Sequence, residues 1–417
     1  MKADVIVLGA GIVGVSTAIH LARRGKKVVL VDRRRPGEET SYGNAGLIQR
    51  EGVYPYGFPH NFGALFRYAL NNTIDAHYHL SALPGLVPFL ARYWWHSGLT
   101  RHQHIAKLYA PLVEHSIEEH ADLISAAGAD ALIRKDGWIK AFRTEHARDA
   151  AYREADALSK DFGVNHEKLS AADLARTEPF LQEGLTGGLR WTDPWSVRDP
   201  YSLVKAYLAL FEKLGGTSMS GSAATIEAML SEKGWRIATP EGPLEGREVV
   251  VALGPWADMV TRKLGYHLPL AVKRGYHMHY QAQGNAVLNN WVLDVQGGYF
   301  LAPMARGIRL TTGAEFAKRD APKTPVQLGR AEKVARKFFP LGERIDPEPW
   351  MGARPCTPDM MPIIGPASRH EGLWFAFGHA HHGLTLGPVT GRLIAEMMTG
   401  EKPVIDPRPY RVERFHN

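Results

Sequence analysis

Gly9, Gly11 and Gly14 stand two and three residues apart, and Asp32 follows eighteen residues after the last of them. This spacing suits one task, which is holding the pyrophosphate and ribose of a dinucleotide. The first glycine permits a tight turn, the second lets backbone approach the phosphates, and the third lets a helix pack closely on a strand. The helix that follows would direct its positive end at the phosphates. Asp32 supplies a carboxylate able to accept hydrogen bonds from a ribose hydroxyl pair.

The elements that must position these residues are legible around them. Residues 3–8 form a short run rich in valine and isoleucine, which reads as a buried parallel strand entering the glycine turn. Ile12, Val15, Ala18, Ile19 and Ala22 then fall on one helical face, Gly25 caps the helix, and residues 27–31 form the next strand, closed by Asp32. With strand, triplet, helix, strand and acid in register, a glycine turn without a ligand is the poorer reading. Nicotinamide and flavin nucleotides both remain open at this point. Arg33, Arg34 and Arg35 could meet the 2′-phosphate of NADP, but Asp32 would repel that group, so a solvated basic turn is preferred.

A chain of 417 residues with 45% hydrophobic content can bury two or three cores of ordinary domain size, and its 22% charged fraction carries no long biased tract. A net charge of +7, with no basic stripe interleaved with aromatics, gives no expectation of nucleic acid binding. Cys356 is the single cysteine, which excludes an intramolecular disulfide and a thiolate metal framework and suits a reducing compartment. The first five residues run directly into a strand pattern with no room for a signal segment, so a cytoplasmic location is expected. Residues 83–95 are apolar and end in Tyr93-Trp94-Trp95. They read first as a buried helix and second as a surface that meets lipid or a partner, with peripheral contact at the inner face of the cell membrane.

Further along, residues 64–128 read as an inserted helical segment, and helices recur at Glu145–Phe162 and at residues 200–214. Residues 218–253 turn β-like, and residues 269–281 and 299–315 alternate as strands of a half-covered antiparallel sheet should. Residues 388–398 read as a helix with Pro388 at its first position and Gly400 beyond its end.

Four small-residue loops complete the pattern: 39–46 (ETSYGNAG), 249–257 (VVVALGPWA), 350–365 (WMGARPCTPDMMPIIG) and 378–388 (GHAHHGLTLGP). With these in order across the chain, the sequence resembles the FAD-dependent D-amino acid oxidase and dehydrogenase superfamily, and within it bacterial D-amino acid dehydrogenases. The resemblance implies an α/β fold in which a Rossmann-like FAD-binding domain (1–62, 165–260 and 350–417) is interleaved with an α+β substrate domain of antiparallel sheet plus helices (63–164 and 261–349). It implies FAD, bound non-covalently, and oxidation of a D-amino acid to its imino acid, with reoxidation by a quinone, an electron carrier or oxygen. Oxidation of glycine, sarcosine or a cyclic imino acid is the alternative within the same site. A flavin-holding partner without catalysis is a reading from another class.

Carried over by this resemblance, Gly9, Gly11, Gly14 and Asp32, with Arg33 beside them, and Gly254 belong to the cofactor set. Ser41, Asn44, Ala45 and Gly46 match the loop passing the flavin ring, and Gly383, Leu384 and Thr385 match the segment at its pyrimidine edge. Arg354 matches the arginine that holds the substrate carboxylate, a task for which a planar fork of donors is suited. Tyr276 and Tyr299 are candidates to line the substrate cavity, and His379 or His382 to accept a proton or orient substrate. His379, His381 and His382 have no acidic or thiolate ligand nearby, so no metal is expected there. Sarcosine oxidases attach FAD through a cysteine seven residues before the aspartate of a Thr-Pro-Asp motif. That position here is Gly352, whereas Cys356 lies three residues before Asp359.

Overall fold

The protein is described from a computed structural model, over residues 1–229 and 233–415. The opening strand, Lys2–Leu8, is almost wholly buried and pairs in parallel with Val28–Asp32 on one side and Gly242–Val251 on the other. Thr217–Ser220 and Leu373–Phe377 extend this parallel set, and Trp235–Thr239 closes an antiparallel hairpin on Gly242–Val251. Parallel strands need both faces covered. On one face lie the helix Ile12–Arg23 and the C-terminal helix Gly383–Thr399, which approach each other closely because the latter presents glycine at four-residue spacing. A Cβ on Gly391 would lie 2.6 Å from the backbone of Ser16, and one on Gly387 would lie 3.0 Å from Ile12.

A second sheet of eleven strands carries the long strand Ala271–Ala282 near its middle. Its inner face packs Met278, Tyr280, Leu301 and Leu310 against the helix Val326–Phe338. A small third sheet joins Leu47–Ile48, Trp195–Val197 and Ile133–Arg134. The fold is therefore mixed α/β, with a Rossmann-like region and a separate sheet-and-helix region, as expected. Three strands inside ranges expected for the cofactor domain hydrogen-bond instead into the larger sheet: His166–Ser170, Gly187–Trp191 and Trp350–Cys356. No helix among the described residues is long and apolar enough to cross a membrane.

Three local expectations change. The segment 64–128 holds four helices, Phe62–Ala69, Leu83–His96, Leu99–Glu114 and Ser116–Ala127, but also a short strand, Ala76–Tyr78, that pairs into the larger sheet. The helix Leu83–His96 buries Phe89 and Tyr93 but leaves Trp94 and Trp95 44% and 53% exposed, so it is not an ordinary buried helix. The C-terminal helix begins at Gly383, and Pro388 lies inside it.

A proline inside a helix leaves the carbonyl four residues earlier without its donor. Here that carbonyl belongs to Leu384, and the buried His120 ring meets it through Nε2 at 2.8 Å, while Nδ1 faces the Tyr207 hydroxyl at 3.0 Å. Burial lowers the His120 pKa from 6.5 to about 4. The unfolded chain takes up a proton near pH 6.5 that the folded chain refuses until about pH 4, so this group costs stability as pH falls through that window. We expect His120→Gln, which keeps a donor for Leu384, to flatten the fall of Tm between those pH values. An unchanged slope would reject this account.

Candidate active site

One cavity of about 990 Å³ runs from Gly9 and Asp32 to Arg354 and His382, at the upper end of the size range of small-molecule sites. At its first end the glycine turn is packed too tightly for side chains. A Cβ on Gly9, whose φ is +102°, would lie 2.5 Å from the Ala252 carbonyl oxygen, and a Cβ on Gly14 would collide with the Gly9 carbonyl. Asp32 accepts from Ala10 N–H at 2.7 Å through one oxygen and from Arg34 N–H at 3.0 Å through the other. Each oxygen keeps a lone pair for a ribose hydroxyl. Arg33 lies over the Trp256 ring at 4.6 Å and pairs with Glu39, which also takes Arg34. The basic turn is thus tied to a local carboxylate.

The Ile12 N–H at the start of the first helix donates to Ser41 Oγ at 3.1 Å, so one of the helix's unpaired donors is already used by the loop. That loop is fixed from several sides. Asn44 Oδ1 accepts from Gly46 N–H, Trp291 Nε1–H donates to the Ala45 carbonyl, and the buried Arg309 donates to the Asn44 carbonyl at 2.6 Å. A rigid loop carrying exposed backbone beside a cavity is suited to a planar ring. We expect Asp32→Ala to leave the Ala10 and Arg34 N–H groups without their acceptor, at about 1–3 kcal/mol, and so to lower the flavin retained per chain after purification, read from visible absorbance. Unchanged retention would refute Asp32 as an anchor.

At the other end, strand Trp350–Cys356 pairs with Ala271–Ala282, placing Arg354 directly opposite Lys273. The guanidinium lies across Gly275, where a Cβ would be 2.6 Å from Arg354 Nη2, so glycine is required for it to lie flat. Nη1 donates to the carbonyls of Arg274 at 3.3 Å and Gly313 at 3.2 Å. No carboxylate among the described residues pairs with Arg354; Asp359, the expected alternative partner, pairs with Arg414 at 2.8 Å. Burial pulls the Arg354 pKa below its usual value. The arrangement is a held cationic fork with free donors.

The tyrosines take other roles. Side chains alternate along a strand, so Tyr276 points to the face opposite Lys273 and Arg354. Its hydroxyl donates to Glu315 at 2.8 Å and receives Arg274 and the Thr324 N–H. The Tyr299 hydroxyl donates to the buried Asp294 at 2.8 Å, which is paired with Arg143. Both residues border the cavity, but neither hydroxyl is free to hold substrate. His382 also borders it, with Nδ1 on the Tyr109 hydroxyl at 2.8 Å, no partner for Nε2, and a pKa lowered by burial to about 4.

Of the cofactor set, Gly9, Gly11, Asp32, Arg33, Ser41, Asn44, Ala45, Gly254, Gly383 and Leu384 line the cavity, whereas Gly14, Gly46 and Thr385 stand behind it. The Thr385 hydroxyl is used internally, donating to the Leu47 carbonyl and accepting from Gln49 N–H. That bond ties the C-terminal helix to the strand after the loop.

Four lining or supporting groups were not singled out from the sequence: Glu51, Tyr56, Lys273 and Arg309. Glu51 is buried with one oxygen on Trp138 and Gln49, the other unpartnered, and its pKa raised by burial. The Tyr56 ring lies 4.5 Å from His381, and its phenol feels the charges of Glu51 and Arg354. The one signal for Lys273 was its place two residues before Gly275 on a strand, which alternation puts on the Gly275 face.

The chain matches the family model described as FAD dependent oxidoreductase over residues 4–397. It is 30% identical over 425 aligned residues to a D-amino acid dehydrogenase of Chromohalobacter salexigens, with 99% of each chain covered. It is 29% identical to a D-amino-acid oxidase of Bradyrhizobium diazoefficiens, covering 99% of this chain and 98% of that one. Among solved structures, glycine oxidase from Geobacillus kaustophilus shares the fold, with a TM-score of 0.75, 22% identity and 99% of each chain covered.

Proposed function

The chain belongs to the family of FAD-dependent oxidoreductases, and from that premise we propose that it oxidises a D-amino acid to its imino acid, which hydrolyses to a keto acid and ammonia. The observation that carries this reading is Arg354, a cationic fork facing the cavity with no carboxylate partner among the described residues. A guanidinium so placed binds both oxygens of a carboxylate and fixes the direction of the α-carbon. The relatives named D-amino acid dehydrogenase and D-amino-acid oxidase support the D configuration.

FAD, when bound, supplies the hydride acceptor. Gly9, Gly11 and Asp32 would hold its adenosine and pyrophosphate, and Ser41, Asn44, Ala45, Gly383 and Leu384 its ring end. Arg354 pins the substrate carboxylate. Glu51 Oε2 is a buried acceptor without a partner among the described residues, and its raised pKa suits it to take the proton that frees the substrate amine, whereas burial keeps the His382 ring neutral and suits it to orienting substrate. The buried Tyr93 and the half-buried Phe316 line the same cavity.

Cys356 is fully buried, does not line the cavity, and lies 3.6 Å from the Arg354 carbonyl oxygen, in support of non-covalent flavin. The reading is tested by mixing the yellow protein anaerobically with D- and L-amino acids, glycine, sarcosine and cyclic imino acids. Bleaching by primary D-amino acids is expected. Faster bleaching by glycine or a secondary amine would shift the substrate, and a protein that stays yellow with every amine would end the enzyme reading. Readmitting oxygen or a quinone analogue identifies the acceptor.

The electron acceptor is proposed to be a quinone, with an electron carrier or oxygen as the other outcomes, and the enzyme to work peripherally at the cytoplasmic face of the membrane. Phe62, Phe66, Leu80, Val87, Trp95 and Leu99 are all exposed, and Arg101 lies 3.6 Å over the Trp95 ring. Apolar side chains with interspersed cations favour an anionic bilayer surface. Co-sedimentation with anionic vesicles, reduced by Phe62→Ser with Trp95→Ser, is expected; equal sedimentation of both proteins would remove this proposal.

A further inference from the structure

Lys273 is 3% exposed, on the strand beside Arg354, and is given no role by the reaction described above. Residues directly opposite across an antiparallel pair share a face, and like charges there are destabilising. Two cations in such a position, one of them buried, need a counter-charge. Among the described residues neither has an ion pair with a carboxylate. Of the acids lining the cavity, Asp75 pairs with Arg67, Asp32 and Glu39 belong to the nucleotide end, and neither Glu154 nor Glu51, which is held by Gln49 and Trp138 with its carboxyl pKa raised by burial, forms an ion pair with either cation.

The two heads also diverge. Arg354 lies over Gly275 toward the Gly313 carbonyl. The Lys273 ammonium lies instead 4.0 Å from the centre of the Tyr93 ring and 5.6 Å from that of Phe316. Aromatic faces partly offset a cation's desolvation but do not neutralise it. A single α-carboxylate held by the Arg354 fork satisfies Arg354 and leaves Lys273 unpaired. Burial and the neighbouring guanidinium lower the Lys273 pKa to about 8, the direction expected for a cation awaiting an anion.

We propose that Lys273 forms a second anion subsite, so that the preferred substrate is a dicarboxylic amino acid whose side-chain carboxylate reaches Lys273 while Arg354 holds the α-carboxylate. This rests on the amino acid reading above. Lysine suits the task because its flexible stem lets a point charge follow side chains of different length.

The test compares D-aspartate and D-glutamate with D-asparagine, D-glutamine and D-norvaline in anaerobic flavin reduction by the holoenzyme. At least a tenfold preference in kcat/KM for the acidic members is expected. Lys273→Met should lower kcat/KM for the acid at least 30-fold more than for its amide, and Lys273→Arg should restore the acidic preference. Separately, succinate should raise the Tm of the wild-type holoprotein more than butyrate does, a difference lost in Lys273→Met. Amides reduced as fast as acids by wild type, or equal losses on both in Lys273→Met, would overturn the subsite. If no amino acid bleaches the flavin, the amino acid reading fails, while the succinate shift and its loss still report on Lys273.

Discussion

Replacing Arg354 with methionine is expected to reduce kcat/KM for the best amino acid substrate by about 30- to 5,000-fold. Removing one partner of a buried, hydrogen-bonded charge pair costs about 2–5 kcal/mol, and each 1.36 kcal/mol is a factor of ten in rate. The loss should be at the high end because Arg354 is held in place before substrate arrives. Its Nη1 is anchored by two carbonyls, and Gly275 leaves room for the guanidinium plane. Pre-organised donors lose little on binding. Arg354→Lys should not restore activity, because an ammonium cannot reproduce the two parallel hydrogen bonds. Flavin content per chain should hold, since the nucleotide turn lies at the far end of the cavity, and Tm should hold or rise, since an unpaired buried charge has been removed. Stopped-flow reduction with a substrate titration measures all but the Tm. A change of less than threefold in kcat/KM would remove Arg354 from the carboxylate role.

The second large effect concerns stability. Arg274 and Glu315 are both fully buried, and Arg274 Nε donates to Glu315 Oε2 at 2.5 Å. The same carboxylate receives the Tyr276 hydroxyl and pairs with Thr324, while Arg274 also donates to the Ala321 and Pro322 carbonyls. Glu315→Ala leaves the guanidinium without its counter-charge, and we expect a loss of about 3–5 kcal/mol, read as a lower denaturant midpoint. Replacing both residues with leucine should recover much of that loss, because the uncompensated charge goes with its partner. A single substitution costing under about 1 kcal/mol would show that the carbonyls alone carry Arg274. The network holds the strand Ala271–Ala282 against Ala314–Phe316, where Arg274 stands directly opposite Glu315.

What could be read from the chain without coordinates was local. The turn at Gly9, Gly11 and Gly14 follows from backbone sterics within a few residues, and its strand and helix follow from side-chain periodicity, so both stand where expected. The helix Glu145–Phe162 also stands as expected, with Thr144 and Gly163 at its ends. Expectations fail where a distant group supplies what a local rule says is missing. Pro388 should open a helix, yet His120, far away in sequence, satisfies the Leu384 carbonyl and lets the helix start at Gly383. Tyr276 borders the cavity, as its strand suggested, but its hydroxyl is not left for substrate. Its side of the strand is set by pairing with two other strands, and that pairing puts its phenol on Glu315.

Residue types and their spacing along the chain therefore settle the glycine turn and the alternation of strands and helices, while the candidacy of Arg354 for carboxylate binding came from the family resemblance. Each depends on neighbours within one turn or one strand, or on a motif carried by a single loop. The pairing of Arg354 with Lys273, the unpartnered oxygen of Glu51, the clamp of Arg309 on Asn44 and the internal use of the Tyr276 and Thr385 hydroxyls come from folding. They join segments far apart in the chain. Strand register and burial decide which polar groups find partners and which are left facing the cavity, and neither is encoded within any one segment.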